Sequence, residues 1–231
     1  MPRECWARKI SACDGVITGE HPVSKSLFPS GKVIVKGIPG FKKEKEVGIN
    51  SLVSNILCKK HNEALSDLDN SAAGFMKNIL LFHKYREARL KETYRGRKNI
   101  VCDVRLFDRW ILKVLCNLSI ITKCWEPPES LKKIIYGETV LPDNVGAGAW
   151  VRVGDNLYDS QGVEFTFIHK DKNVEGCQIV FFGIPFVCSW RLPLPNLVGL
   201  DGEGTSLVKG YMFHTKTIQL GDLNIALSLN W

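Results

Sequence analysis

Near the start of the chain stand four side chains of the kind that close a zinc site: Cys5, Cys13, Cys58 and His61. Zinc in a structural site takes four thiolate or imidazole ligands, usually as two close pairs joined by a longer connection. Cys58 and His61 are three apart, so on a helix they share a face and grip one ion. Cys5 and Cys13 supply the other pair. Three residues among them are of a different kind: Glu20, His21 and Asn62. Oxygen donors such as a carboxylate and an amide suit Mg²⁺ or Mn²⁺ better than zinc. An imidazole, with an ordinary pKa near ~6.5, suits proton transfer at neutral pH.

The wording Gly19-Glu20-His21, then Ile56-Leu57-Cys58, His61-Asn62, Leu65-Ser66 and Leu68-Asp69 resembles the HNH, or His-Me finger, endonucleases, and within them a bacterial subgroup described only as HNH proteins. The resemblance covers about residues 5 to 75. It implies a ββα-metal unit stapled by a treble-clef zinc on Cys5, Cys13, Cys58 and His61. It also implies that His21 is the general base of phosphodiester hydrolysis. Glu20 and Asn62 would hold a catalytic Mg²⁺ or Mn²⁺, and the substrate would be nucleic acid, DNA favoured. The family's middle asparagine usually stands about five residues before Cys58, where this chain has Val53. Asn50 and Asn55 are nearest; Asn55 reads either as that catalytic residue or as a helix N-cap.

A chain of 231 residues forms one large domain or two small ones. The longest apolar run, Ile179 to Trp190, is broken by Gly183 and Pro185 and falls short of the roughly 18 residues a membrane helix needs. The N-terminus carries Arg3, Glu4, Arg8 and Lys9 and no apolar core, so no secretory signal is expected. The expected setting is cytoplasmic, where paired cysteines mean metal more often than disulfide. Cys102, Cys116, Cys124, Cys177 and Cys188 lack ligand spacing and read as core residues.

Charge divides the chain. Residues 1–100 hold 19 Lys/Arg against 10 Asp/Glu, and residues 101–231 hold 12 against 14. A polyanion would be drawn to the first part, although a basic surface also serves solubility.

The expected chain is α+β in three parts: the ββα-metal unit with zinc that the resemblance implies, over 1–70, and, from turn and periodicity signals, a helical region over 71–145 and a β-rich region over 146–231. A turn followed by a short strand is expected over 14–21, the strand ended by Pro22, and another strand over Lys32–Lys36, inside a basic insertion (29–48, with Lys42, Lys43 and Lys45) that either touches phosphate or is a solvated hairpin. A helix is expected from Ser54 or Asn55 to about residue 70. An amphipathic helix is expected over 71–95, with Phe75, Ile79, Phe82 and Leu90 on one face and Lys77, Lys84, Arg86, Arg89, Lys91 and Arg95 on the other. Another is expected over 102–121 on Val104, Phe107, Ile111, Val114 and Leu118, and a short turn over 130–136. Further strands are expected over 163–168, then, after a polar turn at 170–176, over 177–187 as one buried strand, and over 223–231. His83, His169 and His214 lack partners at ligand spacing. The rival to a nuclease is a non-catalytic zinc-stabilised module that grips nucleic acid or protein. The β-rich region is a candidate for binding a ligand or protein partner.

Overall fold

The structure, a computed structural model, describes residues 4–28, 30–37, 43–103, 106–142, 146–149, 162–170, 173–181, 184–190, 217–221 and 225–230. The expectations for Lys42, Val104 and His214, and for the side chains of His83, Arg86 and Cys102, lie outside what is described. In chain order the elements begin with β1 (Ile17–Glu20), β2 (Lys32–Lys36), β3 (Lys45–Gly48) and β4 (Ser54–Cys58). Then come α1 (Lys59–Glu63), α2 (Ser66–Leu90), β5 (Lys98–Asp103), α3 (Phe107–Thr122) and α4 (Glu129–Tyr136). The remainder is β6 (Gly146–Ala149), β7 (Gly162–Lys170), β8 (Asn173–Phe181), β9 (Ile184–Ser189), β10 (Thr217–Gly221) and β11 (Ile225–Asn230).

β1 and β4 form a two-stranded antiparallel sheet, with Ile17 opposite Cys58 and Glu20 opposite Ser54. The register shifts at Thr18/Gly19. A Cβ on Gly19 would lie 2.6 Å from the Val53 side chain, so glycine is what lets the lead-in to β4 pass so close. The helix expected from residue 54 therefore begins only at Lys59. Ile56, Leu57 and Cys58 are buried against the rest of the fold, and pairing with β1 overrides a short apolar run that has no period of its own. Ser54 and Asn55 are strand residues, which removes their reading as N-caps.

α2 starts and stops earlier than the 71–95 expected. Phe75, Met76, Ile79 and Phe82 face the core, but Leu90, its last residue, is 78% exposed. Part of the helix expected over 102–121 is strand, because β5 takes Lys98–Asp103. α3 itself is the centre of the molecule. Phe107, Trp110, Ile111, Leu112, Val114, Leu115, Cys116 and Leu118 are all buried, the pattern of a helix surrounded on every side. α4 ends on Gly137 in the left-handed region. Beside that end Arg109 donates from Nε and Nη2 to the Ile135 carbonyl, at 3.0 and 2.7 Å, satisfying one of the carbonyls a helix end leaves orphaned.

A six-stranded sheet runs in the order β3-β2-β7-β8-β9-β6. β2 pairs parallel with β7 and the other neighbours are antiparallel. In β7 Val163 and Phe165 turn inward and Thr166 outward, the alternation expected of a half-buried strand. The single strand expected over 177–187 is two, with Phe181 opposite Ile184 across a hairpin. The polar turn expected over 170–176 is likewise shorter, since Lys170 already pairs with Asn173. In the third sheet, β10-β11-β5, β11 runs parallel to β5. Two strand pairings run between the parts expected from sequence texture: β2 pairs with β7, and β5 with β11. Cys116, Cys177 and Cys188 are buried as expected, whereas Cys124 is exposed after α3. Among the described residues no helix is long and apolar enough to cross a membrane.

Candidate metal centre and the adjacent histidine

The centre is assembled where β4 turns into α1. Cys58 is the last residue of β4 and the N-cap of α1, and His61 follows inside the first turn. The N-terminal segment reaches them by lying along β4, with the Trp6 amide donating to the Ile56 carbonyl at 3.1 Å. Asp14 then fixes the Cys13 loop onto the helix start. Its carboxylate accepts from the Lys60 amide at 2.9 Å and from the Val16 amide at 3.2 Å, a cap supplied from outside the helix.

Cys5, Cys13, Cys58 and His61 come together with one ligand atom each, all within 4.8 Å of one another, and could hold a metal ion such as zinc. His61 Nδ1 is 3.1 Å from the Cys58 sulfur, 3.4 Å from that of Cys5 and 3.7 Å from that of Cys13. A tetrahedral zinc with the usual bond lengths has N···S edges of about 3.6 Å, so the donor set fits. On the far side of the ring Nε2 lies 2.9 Å from Ser11 Oγ. A proton on Nε2 donated to Ser11 leaves the Nδ1 lone pair facing the sulfurs, the outer contact that orients a metal-binding histidine. Tyr136 adds a hydrogen bond from its hydroxyl to the His61 carbonyl, at 3.0 Å, and an edge contact to the ring. Four protein ligands leave no open position, which is the form of a structural site. Burial pushes the Cys5 thiol up to about 12 and also raises that of Cys13. Metal uptake by apo-protein at neutral pH is therefore expected to release at least about two protons. Titration with zinc in weakly buffered solution measures this.

His21 immediately follows β1. Its Nε2 is buried and meets no hydrogen-bond partner among the described residues. Burial holds the imidazole below its usual pKa, with Lys25 and Lys113 adding to the effect and Asn50 and Asp69 opposing it. The ring is therefore neutral near pH 7, with a lone pair to offer. Of the two asparagines weighed for the middle role, Asn50 is the one whose side chain acts on this ring. Asn55 is an exposed residue of β4 opposite Gly19. Asn62 donates from Nδ2 to Thr18 Oγ1 at 3.3 Å and to the Gly19 carbonyl at 3.4 Å, tying α1 to β1 two residues before His21.

Glu20 departs from its expected role. Its carboxylate is buried and lies 2.7 Å from the Lys113 ammonium, and Asn117 Nδ2 donates to the same oxygen at 3.1 Å. Burial raises its pKa while Lys113 and Asn117 oppose that rise. A divalent ion on Glu20 would be repelled by the ammonium already there. In this arrangement Glu20 is paired with Lys113, and Asn62 with Thr18 and Gly19, so nothing supports a Mg²⁺ or Mn²⁺ site on them. Sequence reasoning missed Lys113 and Asn117, although one signal was present: a lysine in the middle of an otherwise apolar helix is seldom buried without a partner.

Comparison with protein-family models finds no match. Neither does comparison with curated proteins or with solved structures.

Proposed function

We propose that the chain hydrolyses phosphodiester bonds of nucleic acid, DNA in preference to RNA, as an HNH-type endonuclease. His21 is the general base that takes the proton of the attacking water. The observation that carries the reading is His21, whose Nε2 meets no partner among the described residues, standing directly after β1 in a β1–β4–α1 unit beside four side chains that could hold a metal ion. This is the order of elements that the resemblance implies. Zinc is structural in this proposal and takes no part in the chemistry. Mg²⁺ or Mn²⁺, the catalytic ion the resemblance implies, enters as an ion accompanying the substrate phosphates. When bound it offsets charge on the scissile phosphate. Incubating supercoiled plasmid and a structured RNA with the full chain, with and without Mg²⁺ or Mn²⁺, tests the proposal. Metal-dependent nicking is expected, and its absence overturns the enzyme.

The engagement of Glu20 by Lys113 favours a second reading, a non-catalytic zinc-stabilised module that binds nucleic acid. Both readings need a cationic surface. α2 supplies one, with Lys77 and Lys84 exposed along it and Arg95 and Arg97 exposed just beyond its end. Arg89, Glu92, Tyr94 and Arg95 line a cleft of about 450 Å³ there. Affinity for duplex DNA is expected to fall with a slope of about −0.9 in log affinity against log salt for each phosphate contacted. Lys84→Ala and Arg95→Ala should each flatten that slope by up to the same ~0.9. Fluorescence anisotropy across a salt series reads it, and an unchanged slope in both variants removes α2 from the interface.

A further inference from the structure

A chain of buried polar contacts joins α3 to both sides of His21. Lys113 is 1% exposed in its side chain and contacts three carboxylate oxygens. One belongs to Glu20, at 2.7 Å, and two to Asp69 on α2, at 2.7 and 2.9 Å. One turn further along α3, Asn117 donates to the same Glu20 oxygen and accepts from Trp6 Nε1 at 3.1 Å. One turn earlier, Trp110 Nε1 donates to Ser24 Oγ at 2.8 Å, and the Ser24 hydroxyl donates to Asp69. Positions 110, 113 and 117 share one helix face. That face therefore holds Glu20, immediately before His21, and Ser24, three residues after it. His21, Pro22 and Val23 form a short arch pinned at both ends.

We infer that Lys113 is the positioning residue of the site: its ammonium, clamped between Glu20 and Asp69, fixes the arch that presents His21 and stands where a divalent ion on Glu20 would need to be. The catalytic part of this inference rests on the function proposed above; the positioning part does not. Two carboxylates and an ammonium taken from water add little net stability over well-packed apolar residues. What the cluster supplies is geometry. It also makes α3, which lies outside the stretch resembling the nucleases, an integral part of the site.

The test uses the full zinc-loaded chain and two readouts. Diethyl pyrocarbonate modification of His21, followed by peptide mass spectrometry, reports how well the half-buried imidazole is held and needs no activity. Single-turnover plasmid cleavage over a Mg²⁺ and Mn²⁺ series reports the chemistry. Lys113→Met and Glu20→Gln are each expected to speed modification of His21 several-fold while zinc content stays at the wild-type level. Cleavage should fall by up to about 10²-fold, as displacement of a reacting group by an ångström does, and added metal should not restore it. Lys113→Arg, which keeps the charge, should recover part of both. If Lys113→Met does not fold, Ser24→Ala loosens the other end of the arch without removing the ion pair and carries the same expectations. Unchanged His21 reactivity in folded variants overturns the inference. So does recovery of Glu20→Gln cleavage at high metal, since Glu20 would then be a metal ligand. If the wild-type chain cleaves nothing, the function fails while the reactivity arm still decides the positioning.

Discussion

Replacing His21 by alanine is expected to slow the chemical step by about 10²–10⁴-fold, the usual contribution of a general base. Zinc content, fold and affinity for nucleic acid should stay near wild type. The reason for this separation is local. Nε2 has no hydrogen-bond partner among the described residues, so removing the ring orphans no polar group on that side, and His21 is not one of the four residues that gather as metal ligands. Extra Mg²⁺ or Mn²⁺ should not restore the rate, because metal does not replace a proton acceptor. The pH dependence follows from the same burial. His21 is held below the usual imidazole pKa, so its base form already predominates at neutral pH. The rate should rise with pH on an acid limb lying below about 6.5, the unperturbed value, and level off above it. Undiminished cleavage by folded His21→Ala protein would remove His21 as the general base.

The second large effect is expected at Cys58, where serine in place of cysteine should abolish both zinc retention and the native fold. Structural zinc supplies roughly 10–16 kcal/mol of apparent binding energy in small metal-folded units. That is comparable to the whole ~5–15 kcal/mol by which a typical domain is stable. Cys58 is fully buried at the junction of β4 and α1, so its loss unties the hairpin from the helix at one point. The exposed Cys13 closes the site from the surface, and Cys13→Ser is expected to cost less, leaving a chain that folds but loses zinc to a chelator. Metal analysis alongside circular-dichroism melts, with and without chelator, separates the two variants. Native-like melting of Cys58→Ser would show that the fold does not depend on the metal.

The four side chains that could hold a metal ion were legible because zinc chemistry uses few residue types and holds them in pairs. Even Cys5, with seven residues between it and Cys13, is brought in, because the segment around Trp6 lies along β4. The strand at Lys32–Lys36 was legible from its alternation, and the buried faces of α2 and α3 from theirs. What escaped depended on partners far away in sequence. Asn55-Ile56-Leu57-Cys58 is too short an apolar run to declare its own structure, and β1 decides it. Lys98–Asp103 is a strand because β11, at the other end of the chain, lies parallel to it. Glu20 carried the strongest mismatch. Its neighbour in sequence, His21, suggested a metal site, but its neighbour in space is Lys113, almost a hundred positions on, and no local pattern links the two.

The metal centre is the foundation of the whole account, and zinc K-edge X-ray absorption of the protein purified without chelators tests it most directly. One zinc per chain is expected, with three sulfurs at about 2.3 Å and one nitrogen at about 2.0–2.1 Å, from Cys5, Cys13, Cys58 and His61. A shell dominated by oxygen, or protein that folds with no bound zinc, would contradict it.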